Sequence, residues 1–292
     1  MNLYILPDEV REDLPDMMQE GTTAYDRSLY RRCQNVSRWI DRRCKRAFYP
    51  QLATRYFSVG EPRGAESALG ILWVPDLISV TSIGLSFDDG LTYTELAETD
   101  YLLAVSEDFD KPCSYNTIIL TVNGAYSSFP RGQRSVRITG VWGYTEDRAT
   151  CWEASGVTLV GDVAAGATEL TVSDGGAADL FGAGTALLKG RLIRMDDEYF
   201  FVTQVVDDVV SVVGGQNGTN QADHLDGAAI DLWRPHPSVV DAARELVIKE
   251  FLDSQQGYAM RGAENVGGQV RYGEYVDGRI LAKLSSLIRT AL

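Results

Sequence analysis

The clearest pattern of apolar and polar positions in the chain is helical. Between Tyr25 and Phe48, apolar residues recur every three or four positions, and five cations fall on the opposite side at about 100° per residue. This pattern predicts one long amphipathic helix, which Asp26 can cap. The apolar stripe contains Leu29, Cys33, Val36, Ile40, Cys44 and Ala47. The opposite side, called the cation row below, contains Arg27, Arg31, Arg38, Arg42 and Lys45.

After this helix the pattern becomes that of strands. Residues 52–145 hold short β-branched and aromatic runs separated by turn residues such as Asn123-Gly124, which predicts a small antiparallel β region. Residues 153–233 hold short strands parted by turns rich in Gly, Asp and Ala. Their even spacing predicts a separate small barrel or sandwich.

Helical periodicity returns near the end of the chain. Residues 238–253 form a broad apolar face behind a capping box of Ser238 and Asp241, and a last amphipathic helix follows. We expect the returning helix to pack against the first one, because each has an apolar face to bury. The predicted fold class is therefore α+β, a helical core with a small antiparallel β region and an inserted all-β barrel or sandwich module. Residues 1–152 and 234–292 would form the core, and 153–233 the insert.

Charge and composition restrict the function. The 292 residues carry a formal net charge of −14, which argues against a general nucleic-acid-binding protein. The chain contains no apolar run long enough to predict a transmembrane helix. Its N-terminal stretch is acidic and interrupted by proline, unlike a signal peptide, so we expect synthesis in the cytoplasm.

The residues that usually carry chemistry predict no enzyme and no cofactor. His224 lies in a turn and His236 between prolines, and both are interpreted as solvated loop histidines. The acidic run Asp196-Asp197-Glu198 is either a hairpin turn, which we favour, or a ligand set for a divalent cation. Cys33 and Cys44 are too far apart on one helix for a disulfide, and no CxxC pair suggests zinc. No catalytic, cofactor-binding or metal-binding residue is therefore assigned.

Two segments are candidate interaction surfaces. The cation row is either a solvated face or a surface for an acidic protein or DNA, because repeated cations without balancing acids repel one another. The glycine-rich stretch 257–278 precedes the last helix, for which no partner within the domain is obvious. These features predict a C-terminal docking arm, with Tyr258, Tyr272, Tyr275, Ile280, Leu284 and Leu287 as its candidate contact residues.

The order of several short motifs resembles the head–tail connector, or adaptor, proteins of long-tailed bacteriophages. The first helix and its exit carry one of them, Val36 to Pro50, and residues 237–251 resemble the family's returning helix. The β region carries Thr54-Arg55-Tyr56-Phe57, Leu72 to Val80, Asp100 to Leu103, Phe129 to Gly132 and Val136 to Tyr144. Residues 267–275 resemble its C-terminal arm, and 192–230 are similar to small β modules of phage structural proteins.

This resemblance implies a structural protein of the virion neck. Such adaptors are assembled in the host cytoplasm, bind the portal protein as a ring and present a platform to the next neck or tail-terminator protein. Copies usually follow the portal's twelvefold symmetry, through head-to-tail contacts that close by rotation. Non-specific contact with packaged DNA in the channel is expected, and contact with a membrane is not. The alternative is a virion-surface or cell-surface protein whose β module binds carbohydrate, which exposure of Trp73, Trp142, Trp152 or Trp233 in a groove would favour.

Overall fold

A computed structural model describes residues 2–14, 23–60, 70–105, 111–179, 182, 184–255 and 278–289. Among these residues the strands form two antiparallel sheets of six strands each, and four α-helices account for a minor part of the chain. The predicted helical core is therefore wrong, because the fold is mostly β. The short apolar runs pair with one another and form two broad sheets. Each run taken alone did not indicate how many of them would pair, so the share of strand in the fold was underestimated.

The first sheet, called sheet A, is built around one long strand. Its strands are β1 (Gln51–Val59), β2 (Ile71–Leu85), β3 (Thr94–Glu95), β4 (Tyr101–Ala104), β5 (Tyr115–Leu120) and β6 (Gly132–Trp142). They pair in the order β1-β6-β2-β5-β4, and β3 pairs with β2. The 15 residues of β2 pair with β5 near their start and with β6 further on, and the register shifts several times. The core of this sheet includes Val74, Leu77, Ile83, Leu85, Ile118, Val136, Ile138 and Trp142.

The second sheet closes on itself and forms a small barrel. Its strands are β7 (Trp152–Thr158), β8 (Glu169–Thr171), β9 (Leu192–Met195), β10 (Glu198–Val206), β11 (Val209–Val213) and β12 (Ala229–Trp233). They pair in the order β7-β12-β9-β10-β11-β8. Beyond β7, the Val160 amide donates to the Thr171 carbonyl at 2.8 Å, and Leu159 forms a bridge with Val172. These bonds join the two ends of the sheet, so the barrel alternative is the one that forms.

The helices are α1 (Pro7–Glu12), α2 (Thr23–Cys44), α3 (Pro237–Gln255) and α4 (Gly278–Ser285). The predicted packing of α2 against α3 is confirmed, and the apolar stripe from Leu29 to Cys44 is buried. Helix α2 ends at Cys44, four residues earlier than the end predicted at Phe48. Lys45 has a φ of 53°, the left-handed conformation that commonly terminates helices. No helix within the described residues is long and apolar enough to cross a membrane.

Contacts divide the chain into two compact units. One unit contains the helices and the barrel, and the other contains residues 46–152 together with 217–220. In the first unit, the N-terminal segment is packed against its surroundings, because Leu3, Tyr4, Ile5 and Leu6 are buried. The predicted division into a core of residues 1–152 and 234–292 and an insert of residues 153–233 stays a prediction.

Candidate functional site

The cation row lies largely in solvent. Arg27, Arg31 and Arg42 are exposed on α2, and Lys45 is exposed directly after it. Arg38 differs, because its guanidinium donates to the Asn2 carbonyl oxygen at 2.8 Å and lies 3.3 Å from the Asp41 carboxylate. The row therefore divides into four exposed cations and one that holds the N-terminal segment.

The two acids of α2 have their short contacts with groups outside the set of exposed cations, although Asp41 also interacts electrostatically with Arg42. Asp26 forms an ion pair with Arg11, which belongs to α1. Asp41 accepts hydrogen bonds from the Tyr4 hydroxyl and faces Arg38. Burial raises the pKa of Asp41, while the Tyr4 hydrogen bond and the nearby arginines act in the opposite direction. The exposed face of α2 is consequently a positive surface on a chain with a net charge of −14.

The C-terminal helix has a partner within its own unit, so the expectation that it lacks one is wrong. Ile280, Leu284 and Leu287 are buried, and α4 contacts α3. The Lys283 ammonium group lies 2.8 Å from the Glu245 carboxylate on α3. The other docking-arm candidates, Tyr258, Tyr272 and Tyr275, lie outside the described residues. A docking role for the segment stays a prediction.

The barrel contains a buried charged network that the sequence did not predict. His224 is only 2% exposed, so its interpretation as a solvated loop residue is wrong. Its Nδ1 lies 2.8 Å from Asp196 Oδ2, and its Nε2 lies 3.1 Å from Glu198 Oε2. Glu198 is buried as well and also accepts hydrogen bonds from the Gly215 and Ala222 amides.

The geometry favours a protonated imidazolium at His224. An ionised carboxylate only accepts hydrogen bonds, so a ring between two carboxylates binds both best when both nitrogens carry protons. Burial lowers the pKa of His224, but the hydrogen bonds that its ring donates to Asp196 and Glu198 outweigh this effect, and the pKa is raised overall. The network ties the turn after β9 to the segment before β12 and thus stabilises the barrel.

Two residues of the acidic run, Asp196 and Asp197, form the turn that was favoured from the sequence, whereas Glu198 is the buried first residue of β10. Asp196 and Asp197 link β9 to β10, where Met195 pairs with Glu198. In the described part of the chain, no group of three or more His, Cys, Asp or Glu side chains is placed to hold a metal ion. His236 is partly buried, and its Nδ1 accepts a hydrogen bond from the Ser238 amide at 3.1 Å, at the first turn of α3.

The tryptophans do not favour the carbohydrate-binding alternative. Trp142 and Trp233 are buried. Trp142 donates its indole hydrogen to the Ala53 carbonyl within sheet A. Trp73 and Trp152 are only partly exposed.

Comparisons of the chain with known protein families, with curated proteins and with solved structures found no match. The functional argument therefore rests on the residues and their arrangement.

Proposed function

We propose that the chain is a structural head–tail connector of a tailed bacteriophage, which forms a ring on the portal protein in the virion neck. One observation carries the proposal: motifs far apart in the sequence that resemble the connector family lie next to one another in space. The motifs at residues 54–57, 72–80 and 136–144 contribute to β1, β2 and β6, and β6 pairs with both of the others. The motifs at 36–50 and 237–251 contribute to α2 and α3, which pack together.

The cation row supplies a surface for this role. The three exposed arginines on one face of α2, with Lys45 directly after the helix, suit an acidic surface of the portal or the phosphates of packaged DNA. Arg38 is excluded from this surface, because its guanidinium is bound to Asn2 and Asp41. The next neck or tail-terminator protein would bind elsewhere on the ring, which we expect to contain twelve copies by analogy with the portal's symmetry.

Binding of the full chain to the portal protein of the same virion tests the proposal. The parent is expected to form a complex whose affinity falls with salt, since exposed charges are screened within about 10 Å at 0.1 M. Replacing Arg27, Arg31 and Arg42 by Gln should weaken binding about tenfold at low salt, from three exposed ion pairs of about 0.5 kcal/mol each. Gln keeps a long side chain and good helix propensity, so the change isolates charge.

A matched control removes three exposed cations outside α2. The triple variant Arg131→Gln, Lys189→Gln and Arg279→Gln changes the net charge by the same amount and is expected to bind like the parent. Equal binding by the α2 variant and the parent at every salt concentration would identify the cation row as a solvated face. A parent chain that does not bind the portal at all would contradict the connector function itself.

A further inference from the structure

Sheet A carries a group of aromatic and arginine side chains, called the aromatic platform below. The Arg134 guanidinium lies 4.0 Å from the centre of the Tyr56 ring, and Arg137 lies 4.4 Å from the centre of the Tyr93 ring. The two ring centres are 6.1 Å apart and the rings are tilted by 53°, so the four side chains form one contiguous group, in which Arg137 also forms an ion pair with Glu95. Tyr56 is still 44% exposed. Tyr and Arg are the residue types most enriched where binding energy concentrates in protein interfaces.

The platform is held in place by its surroundings. Arg134 has a φ of 51°, a conformation that costs free energy in a residue with a side chain. The Tyr93 hydroxyl donates to the Arg134 carbonyl at 2.8 Å, and the Ser58 hydroxyl accepts from the Arg134 amide at 3.0 Å. A Cβ on Gly84 would lie 3.2 Å from Tyr93 Cβ, so this glycine lets Tyr93 lie close to β2. The arrangement is therefore preorganised, which lowers the entropy cost of binding.

The barrel presents a surface of complementary chemistry, called the acidic loop and made of residues 223–226 with Asp162. Leu225 is 72% exposed, and Asp223 and Asp226 flank it. Each aspartate uses one oxygen locally: Asp223 Oδ1 accepts from the Ala165 amide at 2.8 Å, and Asp226 Oδ1 accepts from the Gly161 amide at 2.7 Å. Their exposure leaves the remaining carboxylate oxygens accessible to a partner.

The acidic loop is as firmly built as the platform. The Asp226 amide donates to Asp162 Oδ1 at 2.9 Å, and His224 forms a bridge with Val163. Directly before Leu225, the buried His224 ring is fixed between Asp196 and Glu198. A large apolar side chain is thus displayed to water on a loop that hydrogen bonds hold in one conformation.

We propose that the acidic loop of one copy of this chain binds the aromatic platform of a second copy. Leu225 would cover the exposed ring of Tyr56, and one of the aspartates beside it would accept hydrogen bonds from Arg134, which is exposed. Arg137 is not counted in this contact, because its guanidinium already forms an ion pair with Glu95. Arg134 lies over the Tyr56 ring, which orients its N–H edge for a carboxylate. An exposed leucine beside exposed acids on one surface matches an exposed tyrosine beside an exposed arginine on the other, and this complementarity selects a second copy as the occupant.

The contact deepens the proposed function and rests on it in one respect. It is heterologous, since two different surfaces meet, and such contacts produce rings when the rotation closes. The contact would therefore join neighbouring subunits of the connector ring. Its own test uses self-association, and portal binding is measured separately, so that failure of the contact and failure of the connector function can be told apart.

Sedimentation velocity of the full chain at concentrations up to about 100 µM measures the contact. Leu225→Ser and Arg134→Asn are each expected to weaken self-association at least tenfold, the size of effect typical of central interface residues. Asn tolerates the left-handed backbone at position 134, so the fold should persist. Val122→Ser is the matched control, because Val122 is 98% exposed and lies outside both surfaces. This variant should associate like the parent, and thermal unfolding checks that all variants are folded.

A mixing experiment tests that two different surfaces meet. Leu225→Ser keeps the platform, and Arg134→Asn keeps the acidic loop. An equimolar mixture should therefore form dimers containing one of each and nothing larger. On the portal, both variants should still bind but should fail to complete a ring.

Three results would overturn the contact. The parent could remain monomeric at every concentration while Leu225→Ser completes rings on the portal as the parent does. The control Val122→Ser could weaken association as much as Leu225→Ser. A single-stranded DNA oligonucleotide could bind the parent and lose affinity with Arg134→Asn while self-association is unchanged, which would assign the platform to nucleic acid. In each case parental binding to the portal would leave the connector function standing.

Discussion

Sheet A and the barrel each contain six strands, but sheet A has two open edges and the barrel is closed. The pairing order of sheet A ends at β1 and β4, whereas the barrel joins its two ends through hydrogen bonds between the segments beside β7 and β8. Closure satisfies the hydrogen-bonding groups that an open edge leaves to other partners. The comparison teaches that the barrel stabilises itself from within, while sheet A offers more of its backbone and one aromatic face to its surroundings.

The two regions also have separate cores. The barrel interior is built from buried side chains between Val157 and Leu232, and that of sheet A from side chains between Val74 and Trp142. Only the barrel buries a charged histidine with its carboxylate partner. These differences lead to four predictions about how each region responds to mutation and pH.

The largest effect is expected from His224→Ala in the barrel. Removing one partner of a buried charge pair costs about 3–5 kcal/mol, because the buried Glu198 carboxylate would lose its imidazolium partner. Hydrogen exchange of the full chain should show the loss of protection in barrel peptides and little change in sheet A. His236→Ala is the control, since His236 is only partly buried and outside the barrel network. Equal loss in both sheets would show that the regions unfold together.

Two matched leucine truncations test the separation of the cores. Leu159 in the barrel and Leu85 in sheet A are both fully buried, and Leu→Ala at such sites costs about 2–5 kcal/mol. Each variant should lower the urea concentration at which its own region unfolds. Hydrogen exchange of the peptides from each region, measured at increasing urea concentrations, gives this midpoint. If either variant destabilised both regions by the same amount, the two cores would form one cooperative unit.

The barrel should lose stability at alkaline pH. The pKa of His224 is raised in the folded chain, so its contribution is fully present below the unfolded value of about 6.5. It is lost as pH rises through the raised pKa. Unfolding of the barrel measured from pH 6 to pH 9 should show this decline in the parent and not in His224→Ala. An identical slope in the two proteins would place the titrating group elsewhere.

Sheet A should respond in the opposite direction, with a smaller effect. Asp88 accepts hydrogen bonds from the Ser86 and Thr92 hydroxyls and from the Thr92 amide, which lower its pKa to about 2. Its contribution to the loop after β2 is present above the unfolded value of about 3.9 and is lost as pH falls through about 2. Carboxyl NMR signals of the parent and Asp88→Asn locate the titration. A midpoint near the ordinary aspartate value would contradict the hydrogen-bonded loop.

Local patterns were predicted well from the sequence, and pairings over long distances were not. The apolar stripe of α2 follows from a repeat of three to four residues, and the turn at Asp196-Asp197 from a few adjacent positions. His224 was misjudged because its partners lie 26 and 28 positions away and meet it only when the barrel forms. The burial of Leu284 was missed for the same reason, since the helix that covers it begins at Pro237, 47 residues earlier.

The barrel begins and ends at neighbouring points. Its first strand, β7, pairs with its last strand, β12. Glu153 near the start of β7 forms an ion pair with Arg234, which directly follows β12. Neighbouring strands are about 4.8 Å apart, so a segment built in this way spans almost no distance between the points where it leaves and rejoins a chain.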